Sequence, residues 1–191
     1  MIVGDPSIFA IESEITLAYD RLSQLALGFF VLHVMGRCYG MRKPDATMLA
    51  VSFDEVGRRI VRRGHHNPSF AKTATAEEIA YSFRRAIYDE SKDGELFFGM
   101  PVRQFADTVY SNHIEWIGDE EFDDGSYVLQ FEDENRVRLV AFTGTPDFLY
   151  DATSLRDACL SADMFYGILQ EWHDRFKKEW SSWPKVSESI Q

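Results

Sequence analysis

The chain has 191 residues, 45% of them hydrophobic and 14% aromatic, enough to bury one core without disulfide or metal staples. Its net charge of −11 at pH 7 argues against direct binding of nucleic acid or an anionic membrane, because an acidic field repels both and attracts basic partners. The imbalance sits in one half: residues 1–95 hold 12 Lys/Arg and 13 Asp/Glu, whereas residues 96–191 hold 8 and 18.

The N-terminal MIVGDPSIFAIESEITLAY carries acids, alternates and lacks a basic leader, unlike a signal peptide. No segment approaches the roughly 20 apolar residues of a membrane span. The expected location is the cytoplasm, with Cys38 and Cys159 as two buried thiols.

In chain order, Gly4-Asp5-Pro6 is a turn signal. Residues 7–19 then alternate with period two, Phe9, Ile11, Ile15, Leu17 and Tyr19 against Glu12, Glu14 and Thr16, which predicts a half-buried strand. Residues 28–39 are apolar on both faces and predict a central strand, with Gly36 as a bulge or close backbone contact. After a loop over 40–46, TMLAVSF (47–53) is predicted as a short strand. From Asp54 the spacing becomes helical, with Val56, Ile60 and Val61 as an apolar stripe and Arg58, Arg59, Arg62 and Arg63 on the wet side, up to Gly64. Residues 64–69 are read as a loop. Thr75-Ala-Glu-Glu78 reads as a capping box opening a helix with Ile79, Phe83 and Ile87 inward, which runs to about Asp89 and stops before Ser91–Gly94. Residues 101–110 suit another short helix. Three strands follow at 113–117, 126–131 and 136–142, the last two joined by a tight turn at 132–135, and a short strand at 154–160. Ser161 caps a long helix in which Phe165, Ile168, Leu169, Trp172, Phe176 and Trp180 recur at helical spacing. Pro184 ends it, and the tail to Gln191 is expected to fray. The fold class is α+β: one domain over residues 1–191, an antiparallel sheet with helices packed on it and a long C-terminal helix.

Few residues suggest chemistry. His33 lies in an apolar strand and reads as a satisfied core histidine, and His173 as a helix-surface one. His65-His66 has no accompanying HExxH or Cys/His set at zinc spacing, so no metal and no cofactor are expected. His113 and Glu115 share one side of a strand, a possible acid–base pair. A small hydrolase using His113/Glu115 or His65/His66 is therefore the alternative function. GxSxG, GxGxxG and GxxxxGK[ST] are all absent, and no catalytic residue is assigned. The four arginines at 58, 59, 62 and 63 form a helical face that binds an anion or pairs with acids.

The outlier is acidic. Asp119, Glu120, Glu121, Asp123, Asp124, Glu132, Asp133 and Glu134 fall within sixteen residues that contain no Lys or Arg. The D-x-[DN]-x-[DN]-G order of a calcium loop is absent. Such a density opposes folding unless a partner offsets it, and complementary charge speeds association with a basic partner. A strand over 126–131 puts 119–124 and 132–134 about 20 Å apart at roughly 3.3 Å per residue, so the acids form two clusters, with 119–124 the principal one.

The segments IVGDPSIFAIESEI, GFFVLHVMGRCYG, FDDGSYVLQFEDENRVRLVAF and MFYGILQEWHDRF, in that order, resemble the bacterial immunity proteins of family forty-two from polymorphic toxin systems. The more specific pieces are Gly4-Asp5-Pro6 with Phe9-Ala10-Ile11, and Phe122-Asp123-Asp124-Gly125 with Val137-Arg138-Leu139. The resemblance implies a cytoplasmic, non-catalytic antitoxin, often of a contact-dependent growth inhibition locus. It implies a 1:1 complex with the C-terminal domain of a cognate toxin, frequently a nuclease. It supplies no shared binding residues, so the eight acids stand as a charge-based expectation for toxin binding.

Overall fold

The structure, a computed structural model, describes residues 1–89 and 94–186. Strand β1 (Ile2–Asp5) folds back through a turn at Pro6–Ile8 onto β2 (Phe9–Tyr19). β3 (Ala26–Val34) pairs antiparallel with β2, and β4 (Arg37–Tyr39) returns along β3. Gly36 is therefore no bulge but does make a close backbone contact, its N–H donating to the Pro6 carbonyl at 2.9 Å. It and Met35, at φ 77° and 49°, are the two central residues of a tight hairpin, a turn that needs positive φ at both.

Of the predicted strand 47–53 only β5 (Thr47–Met48) pairs, on β3. Helix α1 already begins at Leu49 and runs to Val61, because Leu49, Ala50, Ser52 and Val56 form one inward stripe that period-two reading splits. The same geometry corrects two residues further on. Val61 is 84% exposed, whereas Arg59, expected in water, is 1% exposed. A 3₁₀ turn (Ser69–Lys72) leads to α2 (Ala76–Tyr88), opened by the predicted capping box: Thr75 Oγ1 accepts from the Glu78 N–H and the Glu78 carboxylate from the Thr75 N–H. The helix ends where expected, with Asp89 as its C-cap, and residues 90–93 lie outside the described residues. A small ribbon, β6 (Leu96–Phe97) and β7 (Met100–Pro101), precedes α3 (Val102–Ser111).

β8 (Ser126–Asp133), β9 (Arg136–Thr143) and β10 (Arg156–Ser161) make a second antiparallel sheet in the order β10-β9-β8. The predicted strand 113–117 is not one of its members. His113 takes φ 48°, and the segment only runs beside β8, with a single bridge between Glu115 and Leu129. Ser161 Oγ caps α4 (Ala162–Ser182) by accepting from the Met164 N–H. Beyond Pro184, β11 (Lys185–Val186) pairs in parallel with β2, so the chain stays attached there, and residues 187–191 lie outside the described residues.

Two cores follow from this layering. The first sheet, α1, α4 and one face of the second sheet enclose Phe30, Leu32, Val56, Val128, Leu139, Phe165, Leu169, Trp172 and Phe176. The other face of the second sheet packs Leu129, Phe131, Val140 and Phe142 against α2 and α3 through Ile79, Phe83 and Phe105. Burying each such large side chain contributes roughly 1.5–3 kcal/mol. The second sheet is thus covered on both faces, which decides where its polar residues go. Cys38 and Cys159 are free and exposed rather than buried. His33 is satisfied as expected: its Nε2 lies 2.9 Å from Glu12, a buried carboxylate that also accepts from Arg42.

Candidate functional site

Residues 118–125 lie between the 113–117 segment and β8, and one acid of this loop points inward. Glu121 is fully buried, and its carboxylate accepts hydrogen bonds from the Thr47 hydroxyl (2.9 Å), the Ser52 hydroxyl (2.8 Å) and the Asp119 N–H (2.6 Å). Its carbonyl takes the Met41 N–H at 2.7 Å. The carboxylate lies so close to Gly118 that a Cβ there would sit 1.9 Å from its Cδ, so any larger residue would have to displace the carboxylate from its partners. Half-buried Phe122 packs against the main core beside it. The turn closes with Gly125 at φ 81°, and the Asp124 carboxylate accepts from the Ser126 N–H (2.9 Å) and hydroxyl (3.0 Å).

What remains outside is a ridge of four carboxylates: Asp119, Glu120, Asp123 and Asp124 are exposed, and none makes an ion pair among the described residues. Glu121 belongs to the scaffold, not to the acidic surface. A buried carboxylate holding three hydrogen bonds is costly to remove and presents nothing to a partner.

The second cluster divides the same way. In β8, Val128, Gln130 and Glu132 share one face by pleat parity, and that face is covered. Glu132 is 7% exposed; its carboxylate accepts from the Tyr166 hydroxyl and the His66 N–H, and its own N–H donates to the His66 carbonyl. Asp133 pairs with Lys72 at 2.7 Å, and Glu134 occupies the hairpin turn at φ 50°. Exposed Arg136 is its near neighbour in the chain. This end of β8 is of mixed charge. The two clusters do sit at opposite ends of the strand, as its length requires.

The histidines and Glu115 do not form an acid–base pair among the described residues. His65 is exposed and His66 buried, so the adjacent pair points apart. His66 Nδ1–H donates to the carbonyls of Asn112 and His113, both at 2.9 Å. Glu115 accepts from the Tyr88 hydroxyl at 3.2 Å rather than from His113, and burial pushes its carboxyl up to about 7. Burial and then the Arg59 charge push His66 down to about 4. No group of three or more His, Cys, Asp or Glu among the described residues could hold a metal ion.

Between the two acidic ends runs a buried polar web that the sequence reading missed. Arg59 stacks 4.3 Å over the Trp116 ring and donates to Glu55 (2.7 Å), to Gln130 Oε1 (2.9 Å) and to the Glu115 carbonyl. Gln130 Nε2 donates to the Tyr166 hydroxyl, which donates to Glu132. α1, β8 and α4 are tied together by this chain. Its one legible sign was the parity that puts Gln130 and Glu132 on the side of Val128. Arg59 differs from Arg58 only in continuing the Leu49, Ser52 and Val56 stripe of α1, a phase that the strand reading of 47–53 hid.

No helix among the described residues is long and apolar enough to cross a membrane. No curated protein matches the chain. Among solved structures, CdiI from Burkholderia dolosa is similar over 92% of this chain and 99% of that one, with a TM-score of 0.58 at 15% identity, a likeness of fold. The family described as Immunity protein 42 matches residues 1–175, nearly the full span of sheets and helices and both acidic clusters, and the chain belongs to that family of immunity proteins.

Proposed function

We propose that the chain neutralises a cognate toxin domain in the cytoplasm by forming a 1:1 complex through the ridge Asp119, Glu120, Asp123 and Asp124, with Asp133 and Glu134 as a secondary contact. The toxin is a basic one, such as an RNase of a contact-dependent growth inhibition system. One observation carries this reading: four exposed carboxylates without ion-pair partners among the described residues, held on a loop that buried Glu121 pins to the scaffold. Uncompensated like charge stores repulsion that a basic partner relieves, and a fixed loop loses little conformational entropy on binding. A nuclease that holds phosphates presents such a basic surface. The antitoxin would occupy it in place of nucleic acid.

Co-expression with the product of the upstream neighbouring gene tests the reading. A 1:1 complex on size-exclusion chromatography and rescue of growth are expected, with association that slows as salt is raised. Absence of both complex and rescue removes it. A toxin domain without nuclease activity, or without a basic surface, removes the finer identification alone.

A further inference from the structure

Beside the polar web, between α1 and the 113–117 segment, lies a notch of about 250 Å³ lined by Arg58, Arg59, Arg62, His66, His113 and Glu115. On a protein of net charge −11 it gathers three guanidinium groups. Glu55 answers two of them, pairing with Arg59 at 2.7 Å and Arg58 at 3.1 Å. The Arg62 guanidinium has no ion pair or hydrogen bond among the described residues; only its backbone is bonded, to Arg58 and His65. His66 is fully buried on this wall, and its Nε2 finds no hydrogen-bond partner. Because its Nδ1–H donates to two carbonyls, that Nε2 is a lone-pair acceptor; it offers nothing to an anion, and the unpaired guanidinium of Arg62 is the group an anion would meet. The local field is positive: after burial, Arg62 lowers the pKa of His113 most, and Arg59 that of His66. Two apolar residues flank the arginines, Ile117 at 52% and Val61 at 84% exposure, and Arg beside exposed apolar side chains is the composition of an interface centre.

We propose that this arginine-lined notch is a subsite for a single carboxylate side chain of the toxin, flanked on the toxin by an apolar residue that packs on Ile117 or Val61. The subsite rests on the toxin-binding reading above and gives the interface a second, oppositely charged anchor. Arg62 and Arg58 donate to the carboxylate, the bidentate pairing that guanidinium geometry favours. A carboxylate rather than a nucleic-acid phosphate follows from the surroundings. The acidic field of the whole molecule repels a polyanion, whereas one acid on an otherwise basic toxin is carried in by its own protein. Two anchors of opposite sign also reject wrong partners, since a toxin that matches only one of them meets an unpaired charge at the other.

The test is the dissociation rate of the complex with the cognate toxin domain for wild type, Arg62→Gln, Arg62→Glu and Arg58→Gln. Each variant is checked for an unchanged circular dichroism spectrum and melting temperature. Arg62→Gln should speed dissociation at least tenfold with little change in association, because truncating one partner of a desolvated charge pair acts on dissociation. Arg62→Glu should be worse. One acidic-to-amide substitution in the toxin should abolish the difference between wild type and Arg62→Gln in a double-mutant cycle. Dissociation rates within twofold of wild type for Arg62→Gln and Arg58→Gln, in an otherwise intact complex, overturn the subsite and leave the acidic ridge standing. Binding of a single-stranded RNA oligonucleotide to the free protein, lost in Arg62→Gln, overturns it in favour of phosphate. Failure of the wild-type complex removes the subsite together with the reading on which it rests.

Discussion

The two ends of β8 start from nearly the same sequence signal, an acidic run beside a strand, and the fold uses them differently. At the 118–125 end, Glu121 turns inward onto two hydroxyls and a backbone N–H, and four acids are left outside with no ion-pair partner among the described residues. At the hairpin end, Glu132 turns inward onto Tyr166 and His66, Asp133 is neutralised by Lys72, and Glu134 sits in the turn. One acid at each end is scaffold. The difference lies in what surrounds the others: only the first end keeps an uncompensated field. Charge counted along a sequence is therefore a poor measure of charge presented to a partner, because burial and pairing remove it unevenly.

The largest expected effect that tests this contrast is on stability. Glu121→Ala leaves Thr47, Ser52 and the Asp119 N–H without their acceptor, and should cost about 3 kcal/mol in urea unfolding, because three hydrogen bonds to a charged group, worth about 1.5–3 kcal/mol each, are lost while the desolvation of the buried carboxylate is relieved. Glu120→Ala, one residue earlier and exposed, should fall within about 0.5 kcal/mol of wild type. Equal values would erase the inward–outward distinction. At the other end, Glu132→Ala should cost about 2 kcal/mol by the same measurement, leaving the Tyr166 hydroxyl without its acceptor.

A smaller effect is expected on binding. Replacing Asp119, Glu120, Asp123 and Asp124 by their amides should slow association with the toxin about tenfold at low salt and flatten the salt dependence. Replacing Asp133 and Glu134 should change association by no more than about twofold, since Lys72 already offsets one of them. Stopped-flow association rates at two salt concentrations decide this, and equal losses at the two ends would show that the ends are equivalent.

The smallest expected effect is the wild-type response to pH, because two shifts in the web between the ends oppose each other. Glu115, raised from 4.5 to about 7 in the fold, contributes stability that is complete below about pH 4.5 and lost as pH rises towards 7. His66, lowered from 6.5 to about 4, contributes in the opposite sense: its environment is harmless above about pH 6.5 and destabilising as pH falls towards 4. Wild-type stability should thus vary little between pH 4.5 and 6.5 through these groups. Glu115→Gln should remove one arm, so that its stability rises with pH over that window relative to wild type. Urea midpoints at pH 4.5, 5.5 and 6.5 measure it, and parallel curves for the two proteins would refute the assignment.

Sequence periodicity alone determined much of this protein. The α2 capping box, the stripe and cap of α4, the β8–β9 hairpin and the separation of the acids into two clusters are local patterns, set by side-chain spacing and backbone geometry, and only the hairpin turn differs, since Glu132 and Asp133, expected in it, continue β8. The family resemblance was likewise legible from residue order, and the match over residues 1–175 agrees with it. Only the tertiary structure decided the rest. Leu49 to Phe53 reads as strand, and packing against β3 and α4 makes it the first turn of a helix instead. Arg59 and Arg58 are chemically identical neighbours, yet a 100° step around α1 buries one over Trp116 and leaves the other half in water. Glu121 and Glu132 look like surface acids until the cover on the second sheet and the hydroxyls of Thr47 and Ser52 are in place. Burial depends on what arrives from elsewhere in the chain, and that is why the carboxylates that hold the scaffold and those left to face a partner could be told apart only in the folded molecule.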